Sequence, residues 1–442
     1  MRIQLSDHFT YRRLLRFVIS PILMMVCISL YGIVDGFFVS NYVGKTPFAA
    51  VNLIMPVLMG VGSIGFMIGT GGSAMVSVKL GEGKQEMANR YFSMLIYAAA
   101  VISVPLSVLC FIFTPTVASM LGAEGELQRF CVIYGRILFA AEPFFVLQNI
   151  FQNFFITAEK PELSLKVSLV SGLTNMFLDF VFIVVFDWGI AGAAAATALG
   201  QAVGCAIPVL YFTGKNDSLL SLTRAGFEKK PIWLACANGS SEMVSNLSMS
   251  LVSILYNFQL MHFAGEDGIA AYGIIMYVNF IFQSVFFGYA IGAGPVVGYH
   301  YGADNRKELR NLFVKSLVLM GGSGTVMLVL AEVFNAPLVW LFAGYDAGLY
   351  SLTCRGFRLY AAAFLMMGIN IWSSAFFTAL NNGVVSALLS FLRTFLFQTA
   401  AVFLLPLFWG IDGIWLAIVA AEGIALMLAV LFFVKERKRY HY

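Results

Sequence analysis

Charged residues are scarce in this sequence, and their scarcity excludes several classes of protein. Only 11% of the 442 residues are charged, whereas 60% are hydrophobic and the mean hydropathy is +0.84. A soluble domain carries about 25% charged residues. The composition therefore argues against a soluble enzyme, a disordered chain and a nucleic-acid-binding protein. It predicts an integral membrane protein embedded in a lipid bilayer.

Cysteine and histidine are also few, and neither residue type is grouped. The six cysteines stand singly, without a CxxC pair, and the four histidines, His8, His262, His300 and His441, lie near span ends or in the terminal segments. Metal sites, disulfide frameworks and catalytic dyads need such residues in clusters. We therefore expect no metal cluster, no cofactor and no enzymatic activity.

Long apolar runs are what the sequence has in abundance. Several of them reach the ~20 residues that a helix needs to cross a bilayer, and the alternating pattern of outer-membrane barrels is not apparent. Charged and turn-forming stretches separate twelve candidate spans, near residues 14–39, 49–78, 91–115, 130–157, 164–186, 189–212, 232–262, 268–298, 311–335, 355–380, 384–409 and 411–434. The sequence thus predicts an all-α integral membrane protein with twelve transmembrane helices.

The second half of the sequence repeats features of the first half. Leu80–Glu86 reads LGEGKQE, and Tyr301–Lys307 reads YGADNRK at an offset of 221 residues, which is half of 442. Three further pairs share this offset: Trp188–Gly192 with Trp409–Gly413, Phe155–Ala158 with Phe376–Ala379, and Asn149-Ile150 with Asn370-Ile371. We therefore predict two pseudo-symmetric six-helix bundles as parallel repeats, an architecture that suits alternating access.

The repeat and the distribution of basic residues define the domains and the orientation. We place an N-terminal lobe at residues 1–215, a linker at 216–230, and a C-terminal lobe with a basic tail at 231–442. With a cytoplasmic N-terminus, most of the 27 Lys and Arg residues fall on the cytoplasmic side, as the positive-inside rule requires. We expect a multi-pass protein of the inner or plasma membrane with both termini in the cytoplasm.

Six acidic residues fall within the predicted spans, namely Asp35, Glu142, Asp179, Glu242, Glu332 and Glu422. Ionisable residues are costly inside a bilayer, so each of them is a candidate functional group. No Lys or Arg is predicted at a comparable depth, because Arg16, Lys166 and Arg393 are expected to snorkel towards cytoplasmic span ends. This excess of carboxylates predicts groups that bind protons, Na⁺ or cationic ligands.

Asp179 has the most informative surroundings in the sequence. Asn175 lies one helical turn before it on the same face, Thr197 lies at a similar depth on span 6, and Asp35 lies in the outer half of span 1. These residues can form one polar cluster in the N-terminal lobe. Two plainer interpretations stay open: Asp35 snorkels to the outer interface, and Asp179 is a neutral packing carboxyl with a hydrogen bond.

The remaining acids are harder to interpret from the sequence. Glu242 lies on a polar stripe with Asn238 and Ser245, which is either the wall of an aqueous cavity or a helix–helix contact. Glu142 and Glu422 fall at mid-depth without an evident partner. For these two residues structural pairing explains the sequence at least as well as transport does.

Six short motifs follow one another along the chain: Val34-Asp35-Gly36, Gly71–Ala74, Leu80–Lys84, Asn175–Asp179, Gly189–Ala194 and Pro295–Ala303. Each motif is weak alone, but their order and spacing across twelve spans are specific. The chain resembles the multidrug and toxic compound extrusion (MATE) family over nearly its whole length. The resemblance implies a V-shaped pair of six-helix bundles that exports organic cations in exchange for H⁺ or Na⁺.

Within that family, the sequence looks most like the DinF-like branch. This resemblance implies a coupling cluster in the N-terminal lobe, composed of Tyr31, Asp35, Asn175, Asp179 and Thr197, with Pro21 as the bending point of span 1. Members of the NorM-like branch instead use acids in the C-terminal lobe. Glu242 resembles their span-7 glutamate, but span 10 has no carboxylate and Asn370 is its closest polar residue. Glu242 and Asn370 are therefore secondary candidates.

These observations lead to one hypothesis and two rivals. We predict a monomeric antiporter for small organic cations, in which protons bind Asp35 and Asp179 from outside and α-helical span 1 bends at Pro21. Na⁺ at the same two carboxylates is the competing coupling ion. The rivals are a flippase for lipid-linked saccharides or other amphipathic substrates, and an intramembrane enzyme. The acid-rich, base-poor spans argue against the first, and the peripheral histidines argue against the second.

Overall fold

Helices make up nearly all of the described chain. A computed structural model describes residues 3–344 and 346–442. Its helices are, in order, α1 (Tyr11–Phe38), α2 (Lys45–Gly81), α3 (Gln85–Met120), α4 (Gly125–Thr157), α5 (Pro161–Asp179), α6 (Gly189–Thr213), α7 (Lys229–Gly302), α8 (Arg306–Ala343), α9 (Ala347–Ala361), α10 (Phe364–Ala379), α11 (Gly383–Phe391), α12 (Gln398–Leu404), α13 (Pro406–Trp409) and α14 (Ile411–Tyr440). Turns of π-helix at Val39–Val43, Phe180–Val185 and Leu392–Phe397 continue α1, α5 and α11.

The described helices provide twelve membrane spans. Ten helical stretches are long and apolar enough to cross a bilayer, and one of them, α7, contains 74 residues. Gly265 interrupts α7 with a φ of 62° and a ψ of −147°, so this helix supplies two spans. Helices α9 and α10 supply one more, bent by 48° at the break between them. The predicted all-α architecture with twelve spans is confirmed.

Large apolar side chains cover the outside of the molecule. Leu210, Trp233 and Val434 are 72%, 74% and 70% exposed, and each lies on a different helix. A contiguous apolar surface of this kind marks contact with a membrane.

The two halves of the chain are equivalent in structure as well as in sequence. Gly189 and Gly410 occupy the same place before α6 and α14, each directly after a tryptophan, and both have a φ of 56°. Only glycine adopts this left-handed conformation without strain. The repeated Trp-Gly pair therefore marks the same turn in the N-terminal lobe (α1–α6) and the C-terminal lobe (α7–α14).

The first described residues and the end of α14 lie at the same end of the molecule, where Phe9 contacts His300 and Tyr440 contacts Tyr301. This end is here called the termini face, and the opposite end is the far face. At the termini face the N-terminal segment joins the two lobes. The Leu5 amide donates a hydrogen bond to Glu159 Oε1 at 2.7 Å in the N-terminal lobe. The Phe9 amide donates to Glu308 Oε1 at 2.9 Å, and Lys315 Nζ donates to the Phe9 carbonyl at 2.6 Å, both in the C-terminal lobe.

Glycines bring the two lobes into backbone contact near the termini face. A Cβ added at Gly81 on α2 would lie 2.0 Å from the Tyr299 carbonyl oxygen on α7. Its repeat-related partner makes the reciprocal contact, since a Cβ added at Gly302 would lie 2.1 Å from the Val78 carbonyl oxygen. Further into the bilayer, Gly71 packs in the same way against Gly239. We call these contacts the glycine seal.

The turn after α2 is held by charged side chains. Lys79 and Lys84 donate hydrogen bonds of 2.7 Å to the carboxylate of Glu82. Partial burial raises the pKa of Glu82, but the two ammonium groups outweigh that effect and bring its pKa below the ordinary value. Opposite charges thus hold the turn that orients α2 and α3 at the termini face.

Candidate functional site

Two acidic side chains meet inside the N-terminal lobe. Asp35 lies in the last turn of α1, and Asp179 is the last residue of α5 before its π-helical turn. Their carboxyl groups lie within hydrogen-bonding reach of each other. Asp179 is fully buried, and within the described residues neither of its oxygens nor Asp35 Oδ1 has a regular hydrogen-bond partner. Two carboxylates this close repel each other unless a proton or a cation lies between them.

The other members of the predicted cluster lie on α1, α5 and α6. Asn175 Nδ2 on α5 donates a hydrogen bond to Thr197 Oγ1 on α6 at 3.3 Å. Tyr31 lies one turn before Asp35, and its ring packs on α5, where a Cβ added at Gly172 would lie 2.0 Å from the ring. Glycine is needed there to admit the tyrosine. Tyr31 and Asn175 thus lie on the two helices that carry the acids, and Thr197 joins α6 to α5 through Asn175.

Glu242 lies between the lobes rather than inside the C-terminal lobe. It borders a cavity of about 40 Å³ whose walls include Thr70, Ser73 and Asn153 from the N-terminal lobe and Phe287 from the C-terminal lobe. The carboxylate is therefore shared by both halves of the molecule. The structure favours the cavity-wall interpretation of the polar stripe at Glu242, although Asn238 on that stripe donates to the Thr378 carbonyl and joins two helices.

Asn370 and Arg393 form a separate buried network in the C-terminal lobe. Asn370 Nδ2 donates to Glu422 Oε2 at 2.6 Å, so the structure pairs Asn370 with Glu422 and not with Glu242. Arg393 Nε donates to both carboxylate oxygens of Glu422, at 2.9 and 3.1 Å. The expectation that Arg393 snorkels to a span end is wrong, because its side chain is only 9% exposed and turns inward to a carboxylate. A buried base offsets a buried acid at this depth.

The sequence of the chain matches a model of a known protein family. The MatE model matches the chain twice, at residues 21–181 and at residues 243–404. The chain belongs to the MatE family. One match falls in each lobe, in agreement with the two-fold repeat. Members of the MatE family are membrane transporters, so the protein is a transporter and not an enzyme.

Relatives and solved structures of MatE proteins resemble the chain over nearly its full length. The multidrug export protein MepA of Staphylococcus saprophyticus is 22% identical over 430 residues, which cover 97% of this chain and 94% of the relative. MepA of Staphylococcus aureus strain N315 is 21% identical with the same coverage. An outward-facing structure of a multidrug resistance MATE family transporter of the MOP superfamily has a TM-score of 0.93 at 21% identity, and the match covers 98% of this chain and 97% of the other.

A crystal structure of a MATE protein in complex with MaL6 gives a similar match. The TM-score is 0.93 at 20% identity, and 98% of each chain is covered. At this level of identity the likeness establishes the fold alone. The MATE resemblance found in the sequence is thereby confirmed, while the assignment to the DinF-like branch stays a prediction.

No sequence pattern points to one further residue of this MatE protein, Tyr134. Tyr134 on α4 is fully buried, and its hydroxyl has no hydrogen-bond partner in the described part of the chain. Asp35 and Asp179 both act on it electrostatically, so Tyr134 lies within electrostatic range of the acidic pair. It is one of 18 tyrosines and belongs to no recognisable motif. Only the packing of α4 against the other helices identifies it.

Two acids of the spans have different surroundings from the pair. Glu142 on α4 is 4% exposed, and its Oε1 atom has no hydrogen-bond partner among the described residues. It packs against α2, where a Cβ added at Gly62 would lie 2.8 Å from Oε1. Glu332, by contrast, is exposed on the surface of α8. Neither residue contacts the predicted cluster.

Pro21 lies at the interface of the lobes. Helix α1 continues through it without interruption. A Cβ added at Gly288 would lie 2.8 Å from the Pro21 carbonyl oxygen, and one added at Gly292 would lie 3.1 Å from Pro21 Cγ. Any bend of α1 at this proline would therefore alter the contact between α1 and α7.

Proposed function

We propose that the protein is a secondary active antiporter that exports organic cations in exchange for H⁺, with Na⁺ as the alternative coupling ion. The observation that carries this proposal is the close approach of the half-buried Asp35 to the fully buried Asp179. A proton-loaded pair and an ionised pair need different surroundings. Proton binding can therefore select between two packings of the N-terminal lobe.

Two observations support organic cations as the cargo. The MepA relatives are multidrug export proteins. The cavity between the lobes combines the carboxylate of Glu242 with the aromatic ring of Phe287. A carboxylate attracts a cation, and an aromatic face adds a favourable interaction with it. The cavity must widen as the lobes separate, because a drug-sized ligand exceeds its present volume.

The proposed cycle links the acidic pair to this cavity. Protons enter from the far face and neutralise Asp35 and Asp179, after which the N-terminal lobe repacks and releases its cargo outward. Bending of α1 at Pro21 would transmit the change to the C-terminal lobe through Gly288 and Gly292. Deprotonation after the cavity has opened to the termini face resets the pair.

The Asp179→Asn variant tests the coupling role. We expect it to lose dye efflux from proteoliposomes with an imposed pH gradient by at least about tenfold, because an amide cannot take part in the proton exchange. The matched control is Asp187→Asn, which removes an exposed carboxylate from the next turn of the same lobe. Efflux by Asp179→Asn at the parental rate would contradict the mechanism.

The coupling ion is decided by separating the two gradients. Proteoliposomes are loaded with dye and given either a pH gradient without Na⁺ or a Na⁺ gradient without a pH difference. We expect efflux in the first condition. Efflux that survives collapse of the pH gradient but requires Na⁺ would assign the acidic pair to Na⁺ instead.

A further inference from the structure

Another cavity, of about 480 Å³, lies in the N-terminal lobe at the termini face. It borders the N-terminal segment and helices α1, α5 and α6, and it shares no residue with the cavity at Glu242. Its charged lining consists of three bases and three acids, namely Arg16, Lys160, Lys166, Glu159, Glu162 and Asp217. The lining is therefore neutral as a whole but carries separated charges of both signs.

One acid and one base of this lining are paired with each other. Lys160 Nζ donates hydrogen bonds of 2.7 Å to both carboxylate oxygens of Asp217. The side chains of Arg16, Glu162 and Lys166, by contrast, form no hydrogen bond and no ion pair among residues 3–344 and 346–442. All three are exposed. The cavity thus offers two basic groups and one acidic group to a ligand.

Glu162 and Lys166 lie four residues apart in α5 and therefore on one face of that helix. Because α5 runs inward from the termini face, Lys166 lies one turn deeper than Glu162. Val170 and Leu173 follow on the same face, and their side chains are exposed. From the termini face into the bilayer, this face of α5 thus presents a carboxylate, then an ammonium group, and then apolar side chains.

Helix α1 adds to this surface from the neighbouring side. Helices α1 and α5 pack together where Ser164 Oγ donates to Met24 Sδ at 3.1 Å. Arg16 supplies a second base to the cavity from α1. Ile19 and Leu23 follow Arg16 on the same helical face, and both are exposed. An apolar surface on two adjacent helices thus continues the charged cavity into the bilayer.

The order of groups along α5 matches the order of groups in one class of membrane lipid. A phospholipid in the leaflet at the termini face has its acyl chains in the hydrocarbon, its phosphate above them, and the amine of its headgroup outermost. The phosphate then lies beside Lys166 and the amine beside Glu162, and each pair has opposite charges. We propose that this cavity binds a zwitterionic aminophospholipid, phosphatidylethanolamine, through Lys166 and Glu162.

Two other phospholipid headgroups fit this lining less well. The trimethylammonium group of phosphatidylcholine has no N–H bond to donate to Glu162. The glycerol headgroup of phosphatidylglycerol carries no positive charge, so the Glu162 carboxylate repels the net negative charge of this lipid. The inference rests neither on the proposed coupling ion nor on the proposed cargo. The bound lipid contacts α5, which also carries Asp179.

Native mass spectrometry of the delipidated full-length protein in detergent measures this binding directly. The protein is titrated with phosphatidylethanolamine, phosphatidylcholine and phosphatidylglycerol that have identical acyl chains. We expect phosphatidylethanolamine to bind about fivefold more tightly than the other two, since it alone forms both charge-assisted contacts. Lys166→Gln should weaken the binding of all three lipids, and Glu162→Gln should abolish the preference. Arg12→Gln removes an exposed base of α1 that does not border the cavity, and it should bind like the parent.

Glu162→Lys combined with Lys166→Glu provides the decisive control. This double variant keeps the net charge of the protein and reverses the order of the two groups relative to the lipid. We expect it to lose the preference for phosphatidylethanolamine, whereas a general attraction between lipids and charged side chains would persist. The parental preference in this variant, or equal binding of the three lipids by the parent, would overturn the inference.

The free headgroup distinguishes a lipid from a soluble ligand of the same chemistry. Glycerophosphoethanolamine at the concentration of the lipid should not displace it, because the apolar side chains of α1 and α5 contact only the acyl chains. Displacement would assign the cavity to a soluble phosphate ester and overturn the lipid assignment.

Discussion

At the scale of single residues, the partners of each buried acid determine what that acid can do. Asp35 and Asp179 face each other and need a shared proton or a cation. Glu422 is neutralised by the guanidinium of Arg393, and Glu142 is buried without a hydrogen bond to Oε1 in the described structure. All four residues are carboxylic acids in apolar spans. Their sequence neighbours do not distinguish them, but their neighbours in space do.

Tyr134 permits a test of the acidic pair that leaves both acids in place. Its buried hydroxyl lies within electrostatic range of the pair and, without another partner among the described residues, can donate a hydrogen bond to an ionised carboxylate. We expect Tyr134→Phe to slow proton-driven dye efflux by about 10- to 100-fold, because a hydrogen bond to a charged group contributes roughly 1.5–3 kcal/mol. Initial rates from proteoliposomes at matched protein density measure the effect.

The control for this variant is a tyrosine of the other lobe. Tyr256 is also buried and also has a hydroxyl without a hydrogen-bond partner in the described chain, but it lies on α7. Tyr256→Phe should pump at nearly the parental rate. Equal rates for Tyr134→Phe and the parent would show that the hydroxyl has no part in coupling.

At the scale of helices, the glycine seal determines how closely the lobes approach at the termini face. The Val78 carbonyl oxygen leaves no room for a Cβ at Gly302. Gly302→Ala should therefore separate α2 from α7, since overpacking of this kind typically costs about 1–3 kcal/mol. The closed form should become less populated, and the termini face should open more often.

Labelling of a buried interface position measures this opening. Ser77 on α2 is fully buried, and a Cβ added at Gly298 would lie 3.1 Å from Ser77 Cβ. A cysteine at position 77, in a chain freed of its six native cysteines, should react severalfold faster with an impermeant maleimide when Gly302→Ala is present. Gly273→Ala on the same helix meets nothing within 4 Å and is the matched control. Equal rates in both backgrounds would exclude a role of the seal in closure.

At the scale of the whole molecule, the first described residues and the basic tail lie at one face. Helix α14 ends at Tyr440, whose ring contacts Tyr301 at 5.6 Å, and Lys435, Arg437, Lys438 and Arg439 lie in its last turns. We predict that this face is cytoplasmic, because cytoplasmic segments of membrane proteins carry the excess of Lys and Arg.

Single cysteines at the two faces decide the orientation. Ala347 begins α9 at the far face, and Glu86 lies in the first turn of α3 at the termini face; both are exposed. In intact cells an impermeant maleimide should label Ala347→Cys and leave Glu86→Cys unmodified. The reverse labelling pattern would show that the protein has the opposite orientation. Labelling of both positions after permeabilisation confirms that each cysteine is reactive.

Local patterns predicted the elements of the fold and part of the site. Asn175 and Asp179 share a helical face through their spacing alone, and Gly189 marks a turn that recurs at Gly410. The position of Arg393 illustrates the limit of such patterns. A base within an apolar span can snorkel or pair internally, and only its distance to Glu422 distinguishes the two.

The sequence by itself determined the membrane class, the twelve spans and the two-fold repeat, because apolar length, turn-forming residues and a constant offset are properties of the chain read in order. The tertiary structure alone decided which further groups meet: Tyr134 on α4 with the predicted pair of Asp35 and Asp179, within electrostatic range, and Arg393 with Glu422. These pairs join residues from different helices. Their contacts depend on how the helices pack. The packing therefore determines which partner each of the few buried charged groups has.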